Sequence, residues 1–86
     1  MVSAPTPSAP ATSEGSFVWY DVSGGAIPPN AVLGGEDHDE PLYVGRANHE
    51  GELIPGKVKA GHGVCYIPWN GEEIAKTEYQ VGILLL

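Results

Sequence analysis

The groups best placed to do chemistry lie between Gly34 and Lys57, in the run GGEDHDEPLYVGRANHEGELIPGK. Glu36, Asp37, Asp39 and Glu40 crowd one short turn, and two of the chain's 4 cations, Arg46 and Lys57, follow on the same stretch. An ionised carboxylate only accepts hydrogen bonds and an ammonium only donates them, so an acid set beside Lys57 suits a ligand whose groups do both. Clustered carboxylate oxygens also suit calcium. A solvated acidic turn with no ligand is the third reading, and the residues alone leave all three open.

Outside this stretch the chemistry is thinner. Cys65 with His62 resembles a nucleophile and base only by nearness along the chain, and a cysteine in a β-branched run reads first as a buried strand residue. His38, His49 and His62 have no zinc-ligand spacing, so no metal is expected. Paired acids are the raw material of a glycosidase, but catalysis is not the expectation. Trp19, Tyr66 and Trp69 read as core or contact aromatics, any of which can also offer a ring face to a ligand.

These groups need a scaffold, and glycine and proline punctuate one. With 12 Gly and 8 Pro in 86 residues, the chain breaks into short β-prone runs: Phe17–Val22, Ala31–Leu33, Pro41–Ala47, Leu53–Ile54, Lys57–Ala60, Val64–Trp69 and Thr77–Leu86. Asn70-Gly71 is a hairpin signal, Gly34-Gly35 and Pro55-Gly56 are turns, and only Glu72–Lys76 has any helical option. The expected class is all-β, a small antiparallel sandwich or barrel-like domain of about seven short strands. In the third run, period-2 alternation puts Leu42, Val44 and Arg46 on one face, where the guanidinium calls for a carboxylate partner; Lys57 and Lys59 share one side of their strand and Val58 takes the other. Gly24–Pro28 and Gly51–Pro55 both read G-x-x-I-P, a pattern short enough to arise by chance.

Residues 1–16, rich in Pro, Ala, Ser and Thr, read as a disordered tail, and 17–86 as one domain. A domain of that size buries only about 60% of the surface that its unfolded chain exposes, which makes a second copy a natural source of stability. The formal charge of −7 opposes binding to nucleic-acid phosphates or anionic membranes, and favours a neutral or cationic partner. One cysteine excludes an intrachain disulfide framework. No apolar run reaches the roughly 20 residues of a membrane span, so no direct membrane insertion is expected. The N-terminus has no recognisable signal peptide, and the compartment, cytoplasmic or secreted, stays open.

Taken in order, Trp19, Gly25-Ala26-Ile27-Pro28, Asn30-Ala31-Val32, Gly34-Gly35, Leu42-Tyr43-Val44-Gly45-Arg46-Ala47, Ile54-Pro55-Gly56-Lys57, Tyr66-Ile67-Pro68, Gly71 with Glu73, and Tyr79 with Val81 resemble one copy of the DM-nine repeat. The resemblance spans Phe17 to about Leu84. Members of that family include mannose-binding lectins of invertebrate immunity, and the repeat also stands beside pore-forming modules in natterin-like proteins. It implies a β fold in which two repeats intertwine, with mannose held by an aspartate of the acidic turn and by the lysine of Pro-Gly-Lys, and with no catalysis or cofactor. Carried onto this chain the lysine is Lys57. The acid is Asp37 or its neighbour Glu36, because the turn lacks the family's glycine and is one residue short. Arg46, Asp39 and Trp69 stand as supporting candidates.

Because the family's compact unit uses two repeats and this chain has one, the resemblance implies a homodimer, with strands exchanged between copies and two sites for mannose or mannose-containing glycans. The aliphatic end Val81–Leu86, if left at a sheet edge, would need such cover. The competing expectation is a sugar-independent structural, oligomerisation or targeting module of an immune or pore-forming protein, and a calcium-dependent module is a third.

Overall fold

The computed structural model describes residues 15–85, so nearly all of the tail expected over residues 1–16 lies outside the described residues. Seven strands follow in chain order: β1 (Ser16–Ser23), β2 (Leu33–Asp37), β3 (Glu40–His49), β4 (Glu52–Lys59), β5 (Val64–Trp69), β6 (Glu72–Lys76) and β7 (Glu78–Leu85). All pairings are antiparallel, as expected for the all-β class, and the strands form one sheet, in the order β1-β7-β3-β4-β5-β6 with β2 also on β3.

Three two-residue hairpins set the registers. Their central residues are His38 and Asp39, Glu50 and Gly51, and Asn70 and Gly71, all with φ between 50° and 84°. Positive φ at both positions is the type I′ pattern, whose twist matches that of the flanking strands. Asn70-Gly71 announces this in the sequence; His38-Asp39 does not, and the acidic turn is tighter than its composition suggests. Glu72–Lys76, given a helical option above, is strand β6 because the Asn-Gly hairpin folds it back on β5, with Ile74 opposite Ile67.

The core lies on one face. Ala47, Val58, Cys65, Ile67, Tyr79, Val81 and Ile83 are buried there, with Val18, Val22, Ile27, Ala31, Tyr43, Ile54 and Ile74 packed against them. β5 and β7 are not hydrogen-bonded neighbours, yet Ile67 and Val81 join the same cluster, so the sheet curls over its own core. Each fully buried aliphatic side chain contributes roughly 1.5–3 kcal/mol. The loop after β1 closes the open end: Gly25 donates its N–H to the Tyr79 hydroxyl at 2.9 Å. Asn30 and Val32 then bond both β7 and β3, with Val32 donating to the Gly82 carbonyl, Leu84 to Asn30 and Val44 to Val32, each at 2.9 Å.

The two faces of β3 separate as the alternation expects, with Tyr43, Gly45 and Ala47 toward the core and Leu42, Val44 and Arg46 away from it. Space decides this, because a Cβ at Gly45 would come within 2.6 Å of Val58 and 3.1 Å of Cys65 Sγ, and only small residues fit under those side chains. The aliphatic end is not an edge, since β7 runs between β1 and β3; Val81, Gly82 and Ile83 are buried, and among the described residues of that end Leu84 and Leu85 are exposed. The two G-x-x-I-P copies also part company: Gly51 closes a hairpin and the rest of that copy lies in β4, whereas the first copy is loop.

Candidate functional site

Directly paired residues of antiparallel strands share a face, and residues two apart along a strand do too. The face opposite the core therefore collects Asp37 and Glu40 from the β2–β3 hairpin, Lys57 and Lys59 from β4, Tyr66 from β5 and Glu73 from β6. Lys57 stands directly across from Val44 on one side and Tyr66 on the other. Gly56, on the core side, makes this close pairing possible, because any Cβ there would run into the Tyr66 carbonyl.

The two lysines have different surroundings. Lys59 is nearly covered, with 13% of its side chain exposed, and it sits between Asp37 Oδ2 at 2.9 Å and Glu40 Oε1 at 3.8 Å. Glu40 in turn abuts Gly61, in the 3-10 turn Ala60–His62 that leads from β4 to β5. The hydrogen bond from Lys59, then its charge, holds the Asp37 carboxyl below the usual carboxylate value; His38 and Lys57 add weaker pulls in the same direction. The same bond raises Lys59. Lys57 is 51% exposed and its Nζ lies 3.2 Å from Glu73 Oε2, itself 55% exposed. Around that pair Pro55, Gly56, Tyr66 and Pro68 line a hollow of about 380 Å³. The Tyr66 hydroxyl is fixed at 2.6 Å from His62 Nδ1.

Of the residues proposed from sequence, Asp37 and Lys57 thus share one face, but the ion partner of Asp37 is Lys59 and that of Lys57 is Glu73. Strand alternation turns Glu36, opposite Pro41, to the other side. Asp39 is exposed in the hairpin turn. Trp69 lies on the core side, edge-on to His49 with ring centroids 4.9 Å apart, and so belongs to neither lysine's surroundings. Arg46 finds no carboxylate among the described residues. Its Nε donates to Gln80 Oε1 at 2.6 Å, its guanidinium lies 4.2 Å from the Trp19 ring centroid, and Gln80 Nε2 donates to Asp21 Oδ1 at 2.9 Å. The acidic turn is out of its reach, six residues back along β3 at about 3.3 Å per residue, whereas Gln80 is its direct partner on β7. Sequence reasoning missed the roles of Lys59 and Glu73; the Lys57–Lys59 alternation was the available signal for the first, and for the second the signal was its place with Gly71 in the repeat pattern, which does not tell that it meets Lys57.

Cys65 is fully buried, and burial pushes its thiol up to about 11, against formation of a thiolate. His62 bonds Tyr66 instead. Among the described residues no group of three or more His, Cys, Asp or Glu is arranged to hold a metal ion, and no helix is long and apolar enough to cross a membrane.

A curled antiparallel sheet, with its core on one face and paired acceptor and donor groups on the other, defines a small all-β module. The model of the DM9 repeat matches residues 9–81, and the chain belongs to that family, one known for carbohydrate binding. No curated protein matches the chain.

Proposed function

We propose that this chain is a carbohydrate-binding module of the mannose-lectin type that holds sugar hydroxyls around Lys57 without catalysis. The observation that supports this most is the half-exposed Lys57–Glu73 pair at the hollow floored by Tyr66, Pro55 and Pro68. A hexose offers vicinal hydroxyls that both donate and accept. The Lys57 ammonium donates to their oxygens while a carboxylate accepts their protons, and the proline and tyrosine surfaces suit the ring's C–H face. Asp37 stands on the same face and is, of the two acids that the family resemblance implies, the one turned that way, Glu36 facing the other side; Glu73 stands on the other flank. Few such bonds at a shallow site give affinities of about millimolar to micromolar, roughly −4 to −8 kcal/mol. Titration calorimetry with methyl α-mannoside is the test, and absence of heat with any mannoside at millimolar concentration would refute the proposal.

Avidity from two copies would strengthen so weak a site, and we extend the proposal to a homodimer. Its support is the outer edge of β1, which pairs with no other strand among the described residues. Phe17 and Tyr20 there, with Leu84 and Leu85 beside them on β7, are 42–54% exposed, and Asp21 is the strand's one charge. The other terminal strand, β6, carries Glu72, Glu73 and Lys76, the charges that normally guard an edge. Light scattering after size exclusion decides, and a monomer stable at micromolar concentration would count against it. A sugar-independent oligomerisation module predicts the dimer without the mannoside heat.

A further inference from the structure

The Lys57 hollow has a larger neighbour. A groove of about 990 Å³ lies where β3 and β7 part, and its walls include Asp21, Arg46, Asn48, Leu53, Ala75 and Gln80. The groove also reaches Val22, Ala47 and Tyr79 on the core side, and its outer rim adjoins the hollow, because Pro55 lines the hollow, Arg46 lines the groove, and these residues are direct partners across β3 and β4. Ala75, in the groove, is likewise the partner of Tyr66, in the hollow.

Resting on the carbohydrate reading above, we infer that the site takes an oligosaccharide, with one sugar at Lys57 and the next one or two running over the Arg46–Pro55 step into the groove toward Asp21. The polar groups there match the needs of a sugar. Arg46 spends Nε on Gln80 and is held by Trp19, which leaves the outer N–H groups of a five-donor guanidinium to donate. Asp21, exposed, accepts from Gln80 through Oδ1, and a carboxylate has a second oxygen to offer. The relay Arg46–Gln80–Asp21 therefore presents a donor and an acceptor at fixed spacing, as the Lys57–Glu73 pair does. Leu53, 46% exposed, supplies an apolar surface for a C–H face.

Distance selects a chain over a single ring. Lys57 is on β4 and Asp21 on β1, three strands away through β3 and β7. At about 4.8 Å per strand the path over the sheet surface is roughly 14 Å, more than one hexose spans.

The experiment compares methyl α-mannoside with linear mannotriose by calorimetry, in the unaltered protein and in Asp21→Ala and Leu53→Ser, two exposed positions away from the Lys57 hollow. The trisaccharide is expected to bind about tenfold more tightly than the monosaccharide, a gain of about 1.4 kcal/mol. Each variant should lose most of that gain and keep the monosaccharide affinity. NMR shifts of the Leu53 methyls and the Trp19 indole should respond to the trisaccharide and not to the monosaccharide. Equal affinity for both ligands, or a gain that survives both substitutions, overturns the oligosaccharide site and leaves the Lys57 proposal standing. If neither saccharide binds the unaltered protein, both fall together.

Discussion

Two lysines two residues apart on one strand give the sharpest contrast available. Lys57→Met and Lys59→Met remove the same charge and keep a similar apolar stem, so differences between them report surroundings alone. Lys57 is half-exposed and its ion partner among the described residues, Glu73, is equally open; such surface pairs contribute about 0–1 kcal/mol, and the melting midpoint should barely move. Its loss to a ligand is larger. A charge-assisted hydrogen bond contributes about 1.5–3 kcal/mol; at this exposure the lower end applies, and losing one such bond weakens mannoside binding about tenfold. Lys59 is the reverse case, nearly covered and facing Asp37 and Glu40 together. Removing it leaves two carboxylates close together with no cation between them, so stability falls clearly while any variant that remains folded still binds. Denaturant titration and mannoside calorimetry on the two proteins complete the comparison. If Lys59→Met, folded, loses binding while Lys57→Met keeps it within about twofold, the assignment of the lysines is wrong.

Three further outcomes follow from the same geometry. Gly56→Ala forces a Cβ into the Tyr66 carbonyl between paired strands, and overpacking against backbone should cost about 1–3 kcal/mol or more, read as a lower denaturant midpoint. Cys65, buried with its thiol pushed up to about 11, should resist a thiol reagent at pH 8 in the native protein and react at once in denaturant; rapid native labelling would contradict the burial. The Asp37–Lys59 pair sets a pH window. Asp37 is depressed when folded, so its contribution is full above the ordinary 3.8 and is lost as pH falls through its lowered value; Lys59 is raised, so its contribution is full below 10.5 and is lost as pH rises through its raised value. Stability of the unaltered protein relative to Asp37→Asn should accordingly be level between those limits and shrink beyond both, and a difference that grows on acidification would reverse the sign.

Several features needed only local sequence. The β class, the Asn70-Gly71 hairpin, the opposite facing of Lys57 and Val58 along β4, and the family itself are all carried by short-range patterns: turn residues with obligatory conformations, and the two-residue period of a strand. Other features depended on which strand lies beside which. Arg46 bonds Gln80 because β7 is the neighbour of β3 at that level. Lys57 meets Glu73 across β5 by the register of two hairpins. Gly45 and Ala47, rather than Leu42 and Val44, face the core because Val58 and Cys65 from other strands already fill it. Although Pro55, Gly56 and Lys57 lie within β4 and not in the turn expected there, the acidic turn and the Pro-Gly-Lys run were visible as chemistry in the sequence. Their partners were not, since a carboxylate and an ammonium pair through space, and strand order, which no local pattern records, determines that space.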